Sequence, residues 1–191
     1  MTSKDTSSLK RAIEAHKDGA VLMVEHPAST YIDSTILAVK TLTDAGYEGV
    51  YISYQRPYKN ISDRFKAEGI AVDSIAFIDA ATALADQKNE KNPKCICLAS
   101  DADIDDLVRA VYTSFEKLDG KGKFVYMDSL STITLYKPLS EVVRFSEFMV
   151  RIVRKHEIHY AVFGVAEDFA QKNFVKNIAL RVDEVLQGGN G

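Results

Sequence analysis

Short apolar runs alternate along this chain with stretches whose apolar residues recur at helical spacing, and that rhythm predicts its elements. Residues 6–19 form an N-terminal helical segment. Leu9, Ala12 and Ile13 make its apolar stripe, Lys10, Arg11, Glu14 and Lys17 its wet face, and Asp18-Gly19 its end. Ala20 to Val24 is apolar without alternation, as expected of a strand covered on both faces. A helix from Tyr31 to Ala45 follows, with Ser29 or Thr30 as its cap and Gly46 as its stop. Gly49 to Tyr54 is the second strand, and Pro57 opens a helix to Ala67, stopped at Gly69. Val72 to Ile78 is the third strand and ends at Asp79. Ala80 to Asp86 makes a short helical turn, and Gln87 to Pro93 is a polar loop. Cys95 to Ala99 is the fourth strand. Asp101 to Leu118 is a helix whose acidic first turn suits the positive end of its dipole. Phe124 to Met127 is the fifth strand, followed by a helix from Pro138 to His156. Tyr160 to Val165 is the sixth strand. Glu167 to Leu186 reads as a last amphipathic helix carrying Phe174, Ile178 and Val185.

Strand and helix alternate at least five times. That pattern predicts an α/β fold of three αβα layers around a mainly parallel sheet. The chain of 191 residues has one composition regime and no internal repeat, so one domain over residues 1–191 is expected, with a disordered tail at 188–191. The net charge of −3 argues against nucleic-acid or anionic-membrane affinity, since both need a basic face. No apolar run approaches the roughly 20 residues of a membrane span, and the polar start lacks a signal-peptide core, so the expected setting is cytoplasmic. Cys95 and Cys97 share one face of their strand. They read as small buried apolar residues of a central strand, because a two-cysteine metal site would need other ligands brought from afar.

The densest chemistry lies from Lys123 to Tyr136. An apolar strand ends there in Asp128, and Ser129, Ser131 and Thr132 follow. In parallel α/β sheets ligands bind beyond the carboxyl ends of the strands, and an acid there is a candidate magnesium ligand. The phosphate-loop position, Glu25 to Thr35, has no glycine. Pro27 removes one donor, and no lysine occurs from Ala20 to Val39. A helix N-terminus with Ser29 and Thr30 is what remains there to hold an anion.

Three segments resemble the RecA/KaiC-type P-loop ATPase superfamily, as found in archaeal signal-transduction and gas-vesicle contexts. They are Val50 to Pro57, Phe124 to Thr132, and Val143 to Phe145 with the helix and strand beyond. The resemblance spans roughly Ala20 to Val165. It implies a RecA/KaiC-like fold, ATP or ADP binding with magnesium at the strand-end acid, and a carboxylate base after the second strand. Carried over residue by residue, Asp128 matches the magnesium-linked acid, with Ser129 beside it. The base falls at Gln55 or Arg56, and a neutral amide orients water without taking its proton. The loop lysine has no counterpart. A degenerate member that lacks the phosphate loop is therefore implied, and ATP hydrolysis is not expected. Because family members assemble through subunit faces, a protein partner or homo-oligomer is expected by resemblance.

Weaker constellations complete the picture. Asp79, Asp101 and Asp128, with Ser100 and Ser129, form a candidate cation site or, alternatively, caps and turn residues. His26 is a catalytic candidate beside Gln55. His156 and His159 straddle a helix end, and Arg144, Arg151, Arg154 and Lys155 line one helix as a solvated or docking face. Tyr51, Tyr54, Tyr58, Tyr126 and Tyr136 gather near strand ends. No Gly-x-Ser-x-Gly elbow and no Gly-x-Gly-x-x-Gly loop occurs. Three functions stay open: a non-catalytic regulatory module acting through protein contacts, a nucleotide binder without turnover, and a small-molecule enzyme using Asp128, His26 and Gln55.

Overall fold

The computed structural model describes residues 3–84, 92–120 and 122–188. Most of the expected loop at Gln87 to Pro93 and most of the expected tail lie outside the described residues. The unalternating apolar runs form strands β1 (Ala20–His26), β2 (Glu48–Ser53), β3 (Ile75–Asp79), β4 (Cys95–Cys97), β5 (Lys123–Asp128), β6 (Tyr160–Ala166) and β7 (Glu184–Gln187). They build one sheet in the order β4-β3-β2-β5-β6-β1-β7, and every pairing is parallel.

The period-2 alternation of side chains then sorts the interior into two cores. Leu22, Val24, Tyr51, Phe77, Phe124 and Tyr126 face one side. They pack against α1 (Ser3–Ala15), α2 (Tyr31–Asp44) and α3 (Tyr58–Ala67). Val21, Met23, Ile52, Ile78, Val125 and Met127 face the other side. Of the helices that follow, α4 (Ala81–Leu84), α5 (Ile104–Phe115), α6 (Leu130–Ile133), α7 (Leu139–Arg154), α8 (Glu167–Ala170) and α9 (Asn173–Ala179), this second core takes α5, α6, α7 and α9. The three-layer α/β expectation is met.

Local chemistry sets the helix ends. Gly46 and Gly69 follow α2 and α3 with φ of 89° and 74°, which a side chain would resist. The acidic start of α5 is a reciprocal cap: Asp103 accepts from the backbone N–H groups of Asp105 and Asp106, and Asp106 accepts from that of Asp103. Asp101 therefore lies ahead of the helix, not in it.

Two expectations need correction. The last helix does not run from Glu167 to Leu186. It breaks into α8 and α9, and residues 184–187 form a seventh strand beside β1. Asp183 fixes where the chain after α9 joins the sheet. Its carboxylate accepts the N–H of Val21 at 2.8 Å and the Arg154 guanidinium at 2.6 Å, which ties the chain to the sheet. Val185, counted toward the helical stripe, is 41% exposed, and Leu186 is the residue that enters the core. Second, the cysteine strand is not central. It is the edge strand β4, and both thiols are half-buried.

Gly49 shows how tightly the β2–β5 contact is packed. A Cβ there would lie 2.2 to 2.4 Å from ring atoms of Phe124. We expect Gly49→Ala to lower stability by about 1–3 kcal/mol through overpacking. In urea unfolding, Phe124→Leu should relieve part of that cost, giving a double variant less destabilised than the sum of the two single changes.

Candidate functional site: a buried acid sealed by tyrosines

Asp128 stands at the carboxyl end of β5, between β2 and β6 in the sheet order. Tyr126 is two residues earlier on the same face, and Tyr51 is its register partner on β2. These two rings stack at 5.7 Å with planes 9° apart. The Tyr51 hydroxyl donates to one carboxylate oxygen of Asp128 at 2.5 Å. Tyr31, the first residue of α2, donates to the other at 2.9 Å. Asp128 itself is 0% exposed.

The cluster closes through His26 at the end of β1. Its Nε2 shares a 2.7 Å hydrogen bond with the Tyr126 hydroxyl, and its ring meets Tyr31 edge-on at 4.9 Å. On β6, between these strands, Gly164 leaves the necessary space. A Cβ there would lie 3.0 Å from the Tyr31 hydroxyl and 3.2 Å from that of Tyr126. The members thus come from β1, β2, β5, β6 and the start of α2, and the sheet order brings them together.

Burial dominates the electrostatics. It raises the Asp128 carboxyl above its ordinary value, against the hydrogen bonds from Tyr51 and Tyr31 and the more distant charge of Arg56. Burial also raises the phenols of Tyr31, Tyr51 and Tyr126, with Asp128 adding to the effect, so all three keep their protons. His26 is lowered by burial to about 3 and is neutral near pH 7. As arranged, both oxygens of Asp128 have phenol donors and none of its atoms faces solvent, whereas Nδ1 of His26 is buried without a hydrogen-bond partner among the described residues.

The remaining sequence candidates fall elsewhere. Ser29 and Thr30 lie exposed on a single 3-10 turn (Ala28–Thr30). Thr30 holds the cap position of α2 without a side-chain hydrogen bond, and its N–H is spent on the Pro27 carbonyl at 3.1 Å. Ser129 is buried and caps α6, accepting from the N–H of Thr132. Gln55 is exposed and accepts from Arg56 at 2.6 Å, away from the buried histidine with which it was paired as a candidate.

The three-aspartate cation site does not assemble. Asp101 is exposed. Asp79 and Asp128 flank Ser53 on opposite sides, two strand spacings or about 10 Å apart. Asp79 instead accepts from the N–H of Tyr58 at 2.7 Å, from that of Thr82 at 2.9 Å and from the Thr82 hydroxyl at 2.6 Å, capping α3 and α4. His156 is exposed, whereas His159 is half-buried and accepts from the Lys123 N–H. Two of the basic residues on α7 have acidic partners: Arg144 meets Asp105, and Arg154 meets Asp183. Tyr54 is buried with its ring 6.4 Å from that of Tyr136. Sequence reasoning missed Tyr31 and Gly164. The signal for Tyr31 was available: an aromatic hydroxyl at the first helical position beyond a strand end is aimed at the crevice.

No protein-family model matches the sequence, and no curated protein matches it. Solved structures do share the fold. An uncharacterized protein from Pyrococcus horikoshii, solved in complex with an unknown peptide, superposes with a TM-score of 0.63 at 15% identity, covering 87% of this chain and 76% of its own. The flagellar accessory protein FlaH from Methanocaldococcus jannaschii gives 0.56 at 11%, covering 88% and 70%. A KaiC-like protein from Pyrococcus horikoshii gives 0.54 at 11%, covering 84% and 68%. The fold is RecA/KaiC-like.

Two outcomes are expected at this cluster. Asp128→Ala orphans two buried phenol donors and should cost about 2–6 kcal/mol in denaturant unfolding. Asp128→Asn keeps an acceptor and removes the buried charge, so it should be far milder at pH 7. The sign follows from the raised carboxyl: its contribution to stability is present below the unfolded value near 3.8 and is lost as pH rises. His26 acts in the opposite sense. Between pH 6.5 and about 3 the unfolded chain takes a proton that the folded chain refuses, so stability falls as pH falls. His26→Gln should remove a slope of up to about 1.4 kcal/mol per pH unit across that window, read from urea midpoints at stepped pH.

Proposed function

We propose that this chain is a non-catalytic, one-domain RecA/KaiC-like module that regulates or scaffolds through protein contacts in a cytoplasmic setting. The observation that carries this reading is the sealing of Asp128 beneath the hydroxyls of Tyr31 and Tyr51. A magnesium nucleotide does not fit the residues present. Both oxygens of the acid are covered, the N–H of Thr30 is committed to Pro27, and the segment from Ala20 to Val39 supplies neither lysine nor glycine. A carboxylate base is absent at Gln55 and Arg56, so hydrolysis lacks a proton acceptor there.

Partner binding is supported by the surface just beyond the same strand end. Leu135, Tyr136 and Leu139 are 70%, 45% and 51% exposed, which places three large apolar residues within five positions. The Pyrococcus horikoshii protein solved with a peptide is a neighbour in fold that supports the same kind of contact. Among the described residues, no helix is long and apolar enough to cross a membrane.

Calorimetric titration of the full chain with ATP and with ADP, each with magnesium, tests the proposal. No heat and no thermal shift are expected up to millimolar nucleotide. Micromolar binding that Asp128→Asn abolishes would overturn it, because Tyr31 would then have to swing away to expose a working magnesium ligand.

A further inference from the structure

The second strand-end acid points to a site of different chemistry. Asp79 ends β3, and its register partner on the edge strand β4 is Cys97. Cys95, two residues earlier, shares that face, and the two sulfurs are 3.9 Å apart. One carboxylate oxygen of Asp79 and both sulfurs lie within 4.8 Å of one another; among the described residues this is the one such group of three or more. We propose that Cys95, Cys97 and Asp79 bind a thiophilic metal ion of the zinc type. This site is independent of the nucleotide question at Asp128.

Geometry favours a shared metal over a disulfide. Residues two apart on an extended strand have Cα atoms about 6.6–6.8 Å apart, at the upper edge of what a disulfide spans. Two thiolates on one tetrahedral zinc, with bonds of about 2.3 Å, stand about 3.8 Å apart. The observed 3.9 Å needs almost no adjustment.

The carboxylate is also prepared for this role. The backbone of Tyr58 and the backbone and hydroxyl of Thr82 fix its orientation, and the oxygen that takes only the Thr82 N–H keeps a lone pair. Outer donors of this kind orient a ligand before the metal arrives. Both cysteines are free and half-buried, so an ion reaches them from solvent. Three protein ligands leave a fourth tetrahedral position for water or a partner's donor atom.

Binding involves no change of oxidation state. Each thiol releases its proton to the buffer as its sulfur–metal bond forms, and the carboxylate binds as the anion. Burial pushes the Cys95 thiol up, with Cys97 adding to the effect, so uptake should strengthen as pH rises.

The test is titration of the fully reduced full-length chain with cobalt(II), a spectroscopic stand-in, followed by displacement with zinc. A sulfur-to-cobalt charge-transfer band saturating at one equivalent and bleached by zinc is expected. Cys97→Ser should lose the band. Asp79→Asn should keep sulfur character but weaken binding at least about tenfold. Circular dichroism checks that each variant folds, and because Cys97 lies half-buried on an edge strand, its variant remains informative if Asp79→Asn does not fold. Three results would each overturn the assignment: no band in the wild type, a band unchanged in Cys97→Ser, or a chain that oxidises to a species lighter by two hydrogens in preference to taking metal.

Discussion

The carboxyl of Asp128 sits where a parallel sheet puts its chemistry, yet it is enclosed, and the local architecture follows from enclosing it. A buried carboxylate without a cation is costly unless its oxygens find donors. Here the donors are phenols from two different elements, β2 and the start of α2. Tyr31 therefore pins α2 over the end of β5. Gly164 must remain small so that the Tyr31 and Tyr126 hydroxyls fit over β6. Nε2 of His26 and the Tyr126 hydroxyl then pair beneath the same lid, and Nδ1 of His26 is left without a partner among the described residues. Because both carboxylate oxygens depend on phenols from other elements, each residue of the cluster constrains the next.

Much of the fold was legible because both faces of the sheet are covered. Runs such as Ala20 to Val24 and Phe124 to Met127 are short and apolar without alternation, as strands of a parallel sheet covered on both faces are. The seventh strand was hidden for the converse reason. It is an edge strand with one core residue, Leu186, so its apolar content is too low to break the helical period set by Phe174 and Ile178. What fixes where the chain after α9 joins the sheet is a long-range event, the capture of a sheet N–H by Asp183, and no local propensity encodes it. The same limit applied at β4, where three residues gave no sign that they lie at an edge.

At the candidate site, Asp128 could be picked out because an acid after an apolar run marks a strand end. Its state could not. Whether such an acid is open or sealed depends on which side chains arrive from other elements. Tyr31 is nearly a hundred positions away in sequence. Asp79 and Asp101 looked equivalent to Asp128 as acids after strands, but register separates Asp79 from Asp128 by two strand spacings, and Asp101 stays in solvent. Strand order decides which acids can share a ligand, and order is a property of the whole chain.

That separation gives the two strand-end acids different chemistry. At the centre of the sheet, strands on both sides and a helix start above leave Asp128 no open coordination position, and aromatic hydroxyls complete its bonding. Near the edge, Asp79 has one neighbouring strand of three residues, and that strand carries two thiols on the matching face. Edge position keeps those sulfurs partly accessible, while the caps on α3 and α4 hold the carboxylate still. The proposed metal site therefore lies not at the centre of the sheet, where α/β folds commonly bind ligands, but one strand from the margin, where a fixed acid and two solvent-reachable sulfurs meet.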